Sequence, residues 1–270
     1  GNPILCYTTD DLFDDQGRLI STSEINVQRD LAELELLGRL VPKNKPDPAI
    51  ALKDGQLTLR VIDLPYHRQS QAQDAYIELL STIREVNVLL AGYIDSPRSS
   101  FVLSLLHLVS LAPANVSAEN LQLNPFRHLT DAELYQFLGP GERSPLFRTR
   151  AKGLEKYDRA GHTVHFFYLN VSPNPAVPII ARIEIPAWVA AHPPSLDILH
   201  AGVVRQALVT GNYPYVLARA DELAVISSEE REAVELMLAV EMRRYGLTPQ
   251  VSSKQKNKNA FRASKESFQL

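Results

Sequence analysis

The sequence predicts a mixed α/β domain with one central sheet. Short apolar runs typical of buried strands alternate with longer amphipathic stretches typical of helices, and this alternation continues through most of the 270 residues. Neither an internal repeat nor a low-complexity linker interrupts the pattern. We therefore predict one domain over residues 1–248, long enough to bury a large core, followed by a basic C-terminal tail over residues 249–270.

The composition excludes several classes of protein. With 45% hydrophobic and 22% charged residues, the chain has the composition of a soluble globular protein. No apolar run reaches the roughly 18 residues of a membrane span, and the first residues lack the basic-then-apolar pattern of a signal peptide. The single cysteine, Cys6, cannot form an internal disulfide. We therefore expect a cytoplasmic protein that does not associate with a membrane.

Local signals place the elements of the first half. Ser21 and Glu24 have the spacing of a capping box and predict a helix that runs to about residue 40. Residues 50–62 predict two strand segments around Asp54 and Gly55, the usual signal of a hairpin. Beyond them the pattern predicts further elements: a helix over residues 69–87, a buried strand over 88–94 and a buried helix over 101–112.

The second half continues the alternation. Thr130 or Asp131 caps a short predicted helix that ends near residue 138. The apolar residues 162–171 and 177–186 predict two strands that pair across a proline-containing loop. The remaining predicted helices cover residues 195–210 and 228–245.

The charge is unevenly distributed along the chain. The tail, residues 249–270, holds five Lys and Arg against one Glu, a net +4, so of the overall −3 the other 248 residues carry −7. A basic tail on an acidic body indicates a polyanionic partner. A solvated end of the chain is the alternative interpretation.

Acidic residues are the strongest candidates for chemistry. The sequence contains no zinc-finger spacing, phosphate-binding loop, GxGxxG or GxSxG motif. Asp54 ends an apolar run, and Glu33 lies on the first predicted helix. Asp221 follows the segment YPYVLARA, where it could introduce a helix. Carboxylates are the natural ligands of Mg²⁺ and Mn²⁺, which support phosphodiester hydrolysis. Each acid also has a structural alternative: a hairpin aspartate, a solvated helix residue and a helix cap, respectively.

Four segments in order resemble the NurA family of DNA-repair nucleases, in its bacterial or cyanobacterial form. They are RDLAELELL (residues 29–37), ALKDGQL (51–57), LLAGYIDSPRSS (89–100) and GNYPYVLARADELAVI (211–226). Each motif alone is weak, but their order and spacing together are specific, and the resemblance covers residues 26–245.

The resemblance implies a fold and a set of site residues. It implies a ribonuclease-H-like α/β core, a mixed central sheet flanked by helices, with a manganese-dependent site in which magnesium is the alternative ion. Glu33, Asp54 and Asp221 would be the metal ligands, and Tyr213 an orienting or substrate-contacting hydroxyl. Asp221 stands where the family usually has histidine, although aspartate still suits a hard divalent ion. Glu35 is the alternative to Glu33, since the helix register is uncertain by a residue or two.

The resemblance also implies an activity and partners. The activity is 5′-to-3′ exonuclease and single-strand endonuclease cleavage of DNA during the processing of double-strand breaks. The partners are DNA, a second copy of the chain in a homodimer, and the HerA hexameric ATPase. The family's N-terminal DGS-like motif is not found in this sequence, which indicates either truncation or degeneration. A catalytically inactive NurA-like module that binds DNA or a partner is therefore the alternative function.

Several basic and aromatic residues are candidates for nucleic-acid contacts. Arg98 and Lys152 lie in predicted loops and are candidates for phosphate contacts. A solvated side chain is the alternative for Arg98 and the favoured interpretation for Lys152. The basic residues assigned to DNA in the tail are Lys254, Lys256 and Lys258. Aromatic residues in the strands could stack on unpaired bases, but strand periodicity favours core packing for most of them: Tyr93, Phe166, Phe167 and Tyr168. We expect Trp188 to be a packing residue.

Overall fold

A five-stranded mixed sheet, with strand order β1-β2-β5-β4-β3, forms the centre of the structure. The strands are β1 (Ile50–Asp54), β2 (Leu89–Ile94), β3 (Phe147–Arg148), β4 (Val164–Asn170) and β5 (Ile180–Pro186). β1 and β2 are parallel, whereas every other neighbouring pair is antiparallel. The predicted α/β class is therefore confirmed: the sheet is mixed, helices flank it, and the arrangement is consistent with a ribonuclease-H-like fold.

The computed structural model describes residues 20–40, 48–151, 153–225 and 227–246. These residues belong to two compact units, one spanning residues 20–223 and containing the sheet, the other beginning at residue 224. The helices are α1 (Thr22–Leu40), α2 (Tyr66–Glu85), α3 (Phe101–Ser110), α4 (Ala118–Gln122), α5 (Asp131–Leu134), α6 (Glu155–Arg159), α7 (Ala187–Ala190), α8 (Pro193–Thr210), α9 (Tyr215–Ala224) and α10 (Ser228–Arg244), with a 3₁₀ turn over Pro113–Asn115. Within these described ranges, no helix has the length and hydropathy needed to cross a bilayer.

Helices cover both faces of the sheet. On one face, which we call the α8 face, Leu199 and Val203 of α8 pack against Ala91 and Ile183 of the strands. On the other, the α2 face, α1 and α2 pack over β1 and β2, and a separate cluster gathers around Phe166. Because both faces are covered, β2 and β5 are buried along almost their whole length, and the two charged residues of β5, Arg182 and Glu184, pair with each other.

Capping boxes begin three of the described helices. Before α1, the Ser21 N–H donates to Glu24 Oε2 at 2.7 Å, and the Glu24 N–H donates to Ser21 Oγ at 3.3 Å, which confirms the predicted capping box. Thr130 and Glu133 form the same box at α5. Ser227 caps α10 in the same way. These boxes satisfy backbone donors that the first turn of a helix leaves unpaired.

The hairpin predicted after β1 is wrong. Gly55 has φ +87°, which turns the chain away from the strand direction. Beyond it the backbone donors find side chains instead of a second strand: the Leu57 N–H donates to Glu184 Oε2 at 2.9 Å, and the Leu59 N–H donates to the Tyr157 hydroxyl at 2.9 Å. A DG pair is compatible with a hairpin locally, but these long-range partners determine the path of the chain.

The predicted buried helix at residues 101–112 is only partly correct. α3 forms, but only Val102, Leu103 and His107 are buried. Several large apolar side chains on its other sides are exposed: Phe101, Leu105, Leu106, Leu108 and Val109. A helix that is apolar all round is expected to be buried. Here only one stripe contacts the sheet, because α3 lies on the outside of the cluster around Phe166.

Candidate active site

The parallel pairing of β1 and β2 brings two aspartates to one edge of the sheet. Asp54 is the last residue of β1, and its Cα partner on β2 is Tyr93. Asp95 lies two residues beyond Tyr93, so strand alternation directs it to the same side of the sheet. The carboxyl ends of adjacent parallel strands are where α/β sheets usually build their sites.

A close backbone contact fixes the turn that carries Asp54. A Cβ added to Gly92 would lie 2.5 Å from the Gly55 carbonyl oxygen and 3.1 Å from Leu57 Cγ. The Gly55 N–H also donates to the Tyr93 carbonyl at 2.8 Å, which extends the β1–β2 ladder by one bond. Glycine at position 92 therefore allows the turn after Asp54 to lie directly against β2.

The loop between α8 and α9 supplies a tyrosine to the same place. Gly211 ends α8 in the left-handed conformation, with φ 100°, and turns the chain back. The Thr210 hydroxyl then bonds the Tyr213 carbonyl. The ring of Tyr213 meets that of Tyr93 edge to face, with centroids 5.3 Å apart and planes at 88°. This contact fixes the Tyr213 ring beside the end of β2.

The Tyr213 hydroxyl lies near the Asp54 carboxylate, and the charges of Asp221 and Asp95 also act on it. Burial, followed by the charges of Asp54, Asp221 and Asp95 and by the hydrogen bond to Asp54, raises the pKa of Tyr213 to about 12. The phenol therefore stays protonated at neutral pH, and its O–H is available to the nearby carboxylates. We call Asp54, Tyr93, Asp95, Tyr213 and Asp221 the acidic site.

Negative charges crowd Asp54. Asp54 reaches solvent, but neighbouring atoms remove part of its hydration, and this desolvation raises its pKa. The charges of Asp221 and Asp95 raise the pKa further, whereas Lys53 and the Gly55 N–H lower it. Repulsion between like charges of this kind is relieved when a cation binds among them.

The chemistry of the acidic site fits a hard divalent cation. Its donors are carboxylate and phenol oxygens, the ligand type that Mg²⁺ and Mn²⁺ prefer. The buried Tyr93 hydroxyl has no hydrogen-bond partner among the described residues, and the charges of Asp95 and Asp54 act on it. Among the described residues, no group of three His, Cys, Asp or Glu side chains is placed to hold a metal ion by itself. Mg²⁺ usually takes only one or two protein carboxylates and keeps several waters, so a site of this kind needs fewer than three protein ligands.

Comparison with known families identifies the family of this chain. The NurA domain family matches residues 3–226, most of the chain. This chain belongs to the NurA family. The family is one of nucleases with a general role in DNA repair. No curated protein and no solved structure matches the chain.

Three of the four NurA site residues expected from the sequence come together. Asp54, Tyr213 and Asp221 all belong to the acidic site: the charge of Asp221 acts on Asp54, and the charges of both aspartates act on Tyr213. Asp221 lies on α9, on an exposed turn of the helix.

The fourth residue, Glu33, has its contacts elsewhere. It pairs with Arg29 on the outside of α1 at 3.5 Å, and its side chain is 51% exposed. Its charge acts on Tyr76, in the core of the α2 face. Glu35, the alternative, makes the same type of exposed pair with Arg39. The structure does not bring either glutamate together with the acidic site.

Asp95 is the acidic-site residue that sequence reasoning missed. It lies in the LLAGYIDSPRSS segment, directly after the buried strand. A polar residue immediately after an apolar strand was the signal that could have identified it.

The expected nucleic-acid contacts have mixed outcomes. Arg98 is exposed in the turn that follows Asp95. Lys152 and the tail lysines Lys254, Lys256 and Lys258 lie outside the described residues. Core packing is confirmed for the strand aromatics, all of which are buried: Tyr93, Phe166, Phe167 and Tyr168.

Trp188 is a packing residue, as expected. It is half-buried, its ring meets His162 edge to face at 5.3 Å, and the Arg84 guanidinium lies 6.0 Å from its centroid. It contributes to the core of both faces.

Proposed function

We propose that this NurA protein is a metal-dependent deoxyribonuclease that hydrolyses phosphodiester bonds at the acidic site. The observation that carries the proposal is the convergence of Asp54, Asp95 and Asp221 around a protonated Tyr213 at the ends of two parallel strands. Membership of a nuclease family supports the same conclusion.

Each residue has a chemical role in this proposal. Asp54, Asp95 and Asp221 would hold one or more divalent ions through their carboxylates. The protonated Tyr213 hydroxyl would orient the Asp54 carboxylate by donating a hydrogen bond to it. A divalent ion held there would supply activation of the attacking water and stabilisation of the leaving oxygen. The phenol of Tyr213 stays protonated at neutral pH, so it acts as a donor and not as a base.

The finer activity and the partners follow from the family resemblance. We propose 5′-to-3′ exonuclease and single-strand endonuclease cleavage with manganese or magnesium. We also propose a homodimer that works with a HerA-type hexameric ATPase. The chain carries a net charge of −3. A divalent ion bound at the acidic site would therefore also reduce the negative charge that repels DNA phosphates there.

An inactive module that binds DNA or a partner is the second candidate. Two observations favour it: aspartate stands at position 221, where the family usually has histidine, and the described acids form no closed three-ligand group. An inactive module would keep the fold and lose only the chemistry.

Cleavage assays distinguish the two candidates. Labelled single- and double-stranded DNA is incubated with the full chain in Mn²⁺, in Mg²⁺ or in chelator. The proposal predicts cleavage only with metal, and loss of cleavage in Asp54→Ala. Asp63→Ala is the matched control, because Asp63 is an exposed aspartate paired with Arg60 outside the acidic site. Equal, metal-independent background in the wild type and Asp54→Ala would favour the inactive module.

A further inference from the structure

A pocket of about 330 Å³ opens at the edge of the sheet, between the first turn of α3 and the segment that contains β3. It lies on the α2 face, where Phe166 also lies. The side chains that matter for its chemistry are Phe101, Phe147, Phe166, Arg148, Thr149 and Arg150. This volume is at the lower end of small-molecule pockets.

Three phenylalanine rings form the apolar walls of the pocket. Phe147 and Phe166 are stacked, with centroids 5.4 Å apart and planes at 26°. Phe101 is tilted at 53° to Phe166, with centroids 6.4 Å apart. Phe101 is 55% exposed although it is large and apolar, so one wall of the pocket offers an open aromatic surface.

A buried arginine holds two of these rings in place. The Arg182 guanidinium lies 4.0 Å from the centroid of Phe166 and 5.1 Å from that of Phe101. Glu184 fixes Arg182 through a 2.7 Å bond, and both side chains are almost fully buried. The aromatic walls are therefore positioned before any ligand arrives, which reduces the entropy lost on binding.

The polar part of the pocket is suited to an anion. Arg148 and Arg150 line it, and no Asp or Glu is present among the described residues of its wall. Arg148 is paired with Asp158 at 3.3 Å, whereas Arg150 is exposed. Thr149 adds a hydroxyl oxygen that has no hydrogen-bond partner in the described part of the chain.

We propose that this pocket binds one unpaired base of single-stranded DNA, with the base against the Phe101 ring and the adjoining phosphate at Arg150. Stacking on an aromatic ring beside a guanidinium is how proteins hold single strands without reading their sequence. A duplex does not fit, because its bases are already stacked and paired. The choice of DNA as ligand rests on the proposed nuclease function.

The sheet register places the pocket near the acidic site. Phe166 pairs with Glu184, which pairs with Gly92, so the three residues form one row across the sheet. With strands about 4.8 Å apart, Phe166 lies roughly 10 Å from Gly92, and Asp95 follows three residues later. The two sites are on opposite faces, so a bound strand would pass around the end of β2, where Arg98 is exposed.

The test is equilibrium binding of labelled oligonucleotides to the full chain in a chelating buffer, measured by fluorescence anisotropy. The three probes are a single-stranded oligo(dT), the same strand with abasic sites in place of its central bases, and a duplex of equal length. The variants are Phe101→Ala and Arg150→Ala. Phe137→Ala is the matched control, because Phe137 is 74% exposed and lies outside the pocket.

The proposal predicts a base-dependent loss. Phe101→Ala should bind oligo(dT) between about fivefold and 100-fold more weakly, with little change for the abasic strand and the duplex. Arg150→Ala should reduce the salt slope of oligo(dT) binding by about 0.7. Phe137→Ala should bind like the wild type, and far-UV circular dichroism should show all variants folded.

Two results would overturn the proposal. One is unchanged oligo(dT) affinity in Phe101→Ala, and the other is an equal loss for the intact and the abasic strand. Because no divalent metal is present, the result does not depend on cleavage. Base-dependent binding without any metal-dependent cleavage would refute the nuclease proposal alone, whereas metal-dependent cleavage without base-dependent binding would refute the pocket alone.

Discussion

Replacing Gly92 with alanine tests how the structure positions Asp54. The new Cβ would lie 2.5 Å from the Gly55 carbonyl oxygen, a backbone atom that cannot rotate away. The turn after β1 must therefore move away from β2. Two hydrogen bonds depend on its position: the Gly55 N–H to the Tyr93 carbonyl at 2.8 Å and the Leu57 N–H to Glu184 at 2.9 Å.

The magnitude follows from these contacts. Overpacking in a well-packed region costs about 1–3 kcal/mol. Weakening a buried hydrogen bond to the charged Glu184 adds roughly 1.5–3 kcal/mol if the bond is lost. We expect Gly92→Ala to lower the free energy of unfolding by about 2.5–6 kcal/mol, and to reduce metal-dependent cleavage because Asp54 is displaced.

Urea unfolding followed by circular dichroism measures the change. Gly38→Ala is the control, because Gly38 lies inside α1 and its added Cβ meets only the Ile83 side chain at 3.4 Å. Alanine there is expected to be neutral or stabilising by up to about 1 kcal/mol. A loss below 0.5 kcal/mol (about the error of such comparisons) for Gly92→Ala would refute the view that this close approach holds the turn.

Four further predictions concern the site, the core and the tail. Tyr213→Phe removes the hydroxyl donor and should slow cleavage about tenfold, the equivalent of one hydrogen bond to a charged group. The rate is measured in single-turnover assays with saturating metal, and an unchanged rate would argue against an orienting role for the Tyr213 hydroxyl. Because the pKa of Asp54 is raised in the folded protein, its charge opposes folding at neutral pH, so Asp54→Asn should raise the Tm of the metal-free protein at that pH. This gain in Tm should shrink as the pH falls into the range where Asp54 is protonated. A gain that does not depend on pH would contradict a raised pKa for Asp54. Glu184→Gln leaves Arg182 buried without its counter-ion and should lower the free energy of unfolding, measured with urea, by about 3–5 kcal/mol. A decrease below about 1 kcal/mol would mean that Arg182 and Glu184 behave like a surface ion pair. Removal of residues 249–270 should weaken DNA binding and flatten its salt dependence; an unchanged salt slope in the truncated chain would exclude a role for the tail.

The local features of the fold were predictable because their causes are local. The capping boxes at Ser21 and Thr130 involve residues three apart, so the sequence alone shows them. The apolar strands β2, β4 and β5 were predicted to within a few residues for the same reason. Apolar side chains in a short run bounded by turn residues need no knowledge of their partners.

Errors arose where distant residues supply the partners. The segment after Gly55 looks like the second half of a hairpin, but its donors bind Glu184 and Tyr157, about 100 or more residues away. α3 is apolar on all sides, and only its place at the outside of the sheet shows that Leu105 is exposed and Val102 is buried. Hydropathy patterns do not show which of several possible long-range contacts forms.

The sequence by itself determined the α/β class, most elements, the resemblance to NurA and three of the acidic-site residues, because each depends on neighbouring residues or on a motif of fixed spacing. Only the tertiary structure decided that β1 and β2 are parallel, and therefore that Asp95 joins Asp54 at one edge of the sheet. It also decided that Glu33 pairs with Arg29 on the outside of α1. The physical reason is that strand pairing joins residues far apart in the chain, and the identity of the partner strand is a property of the whole core.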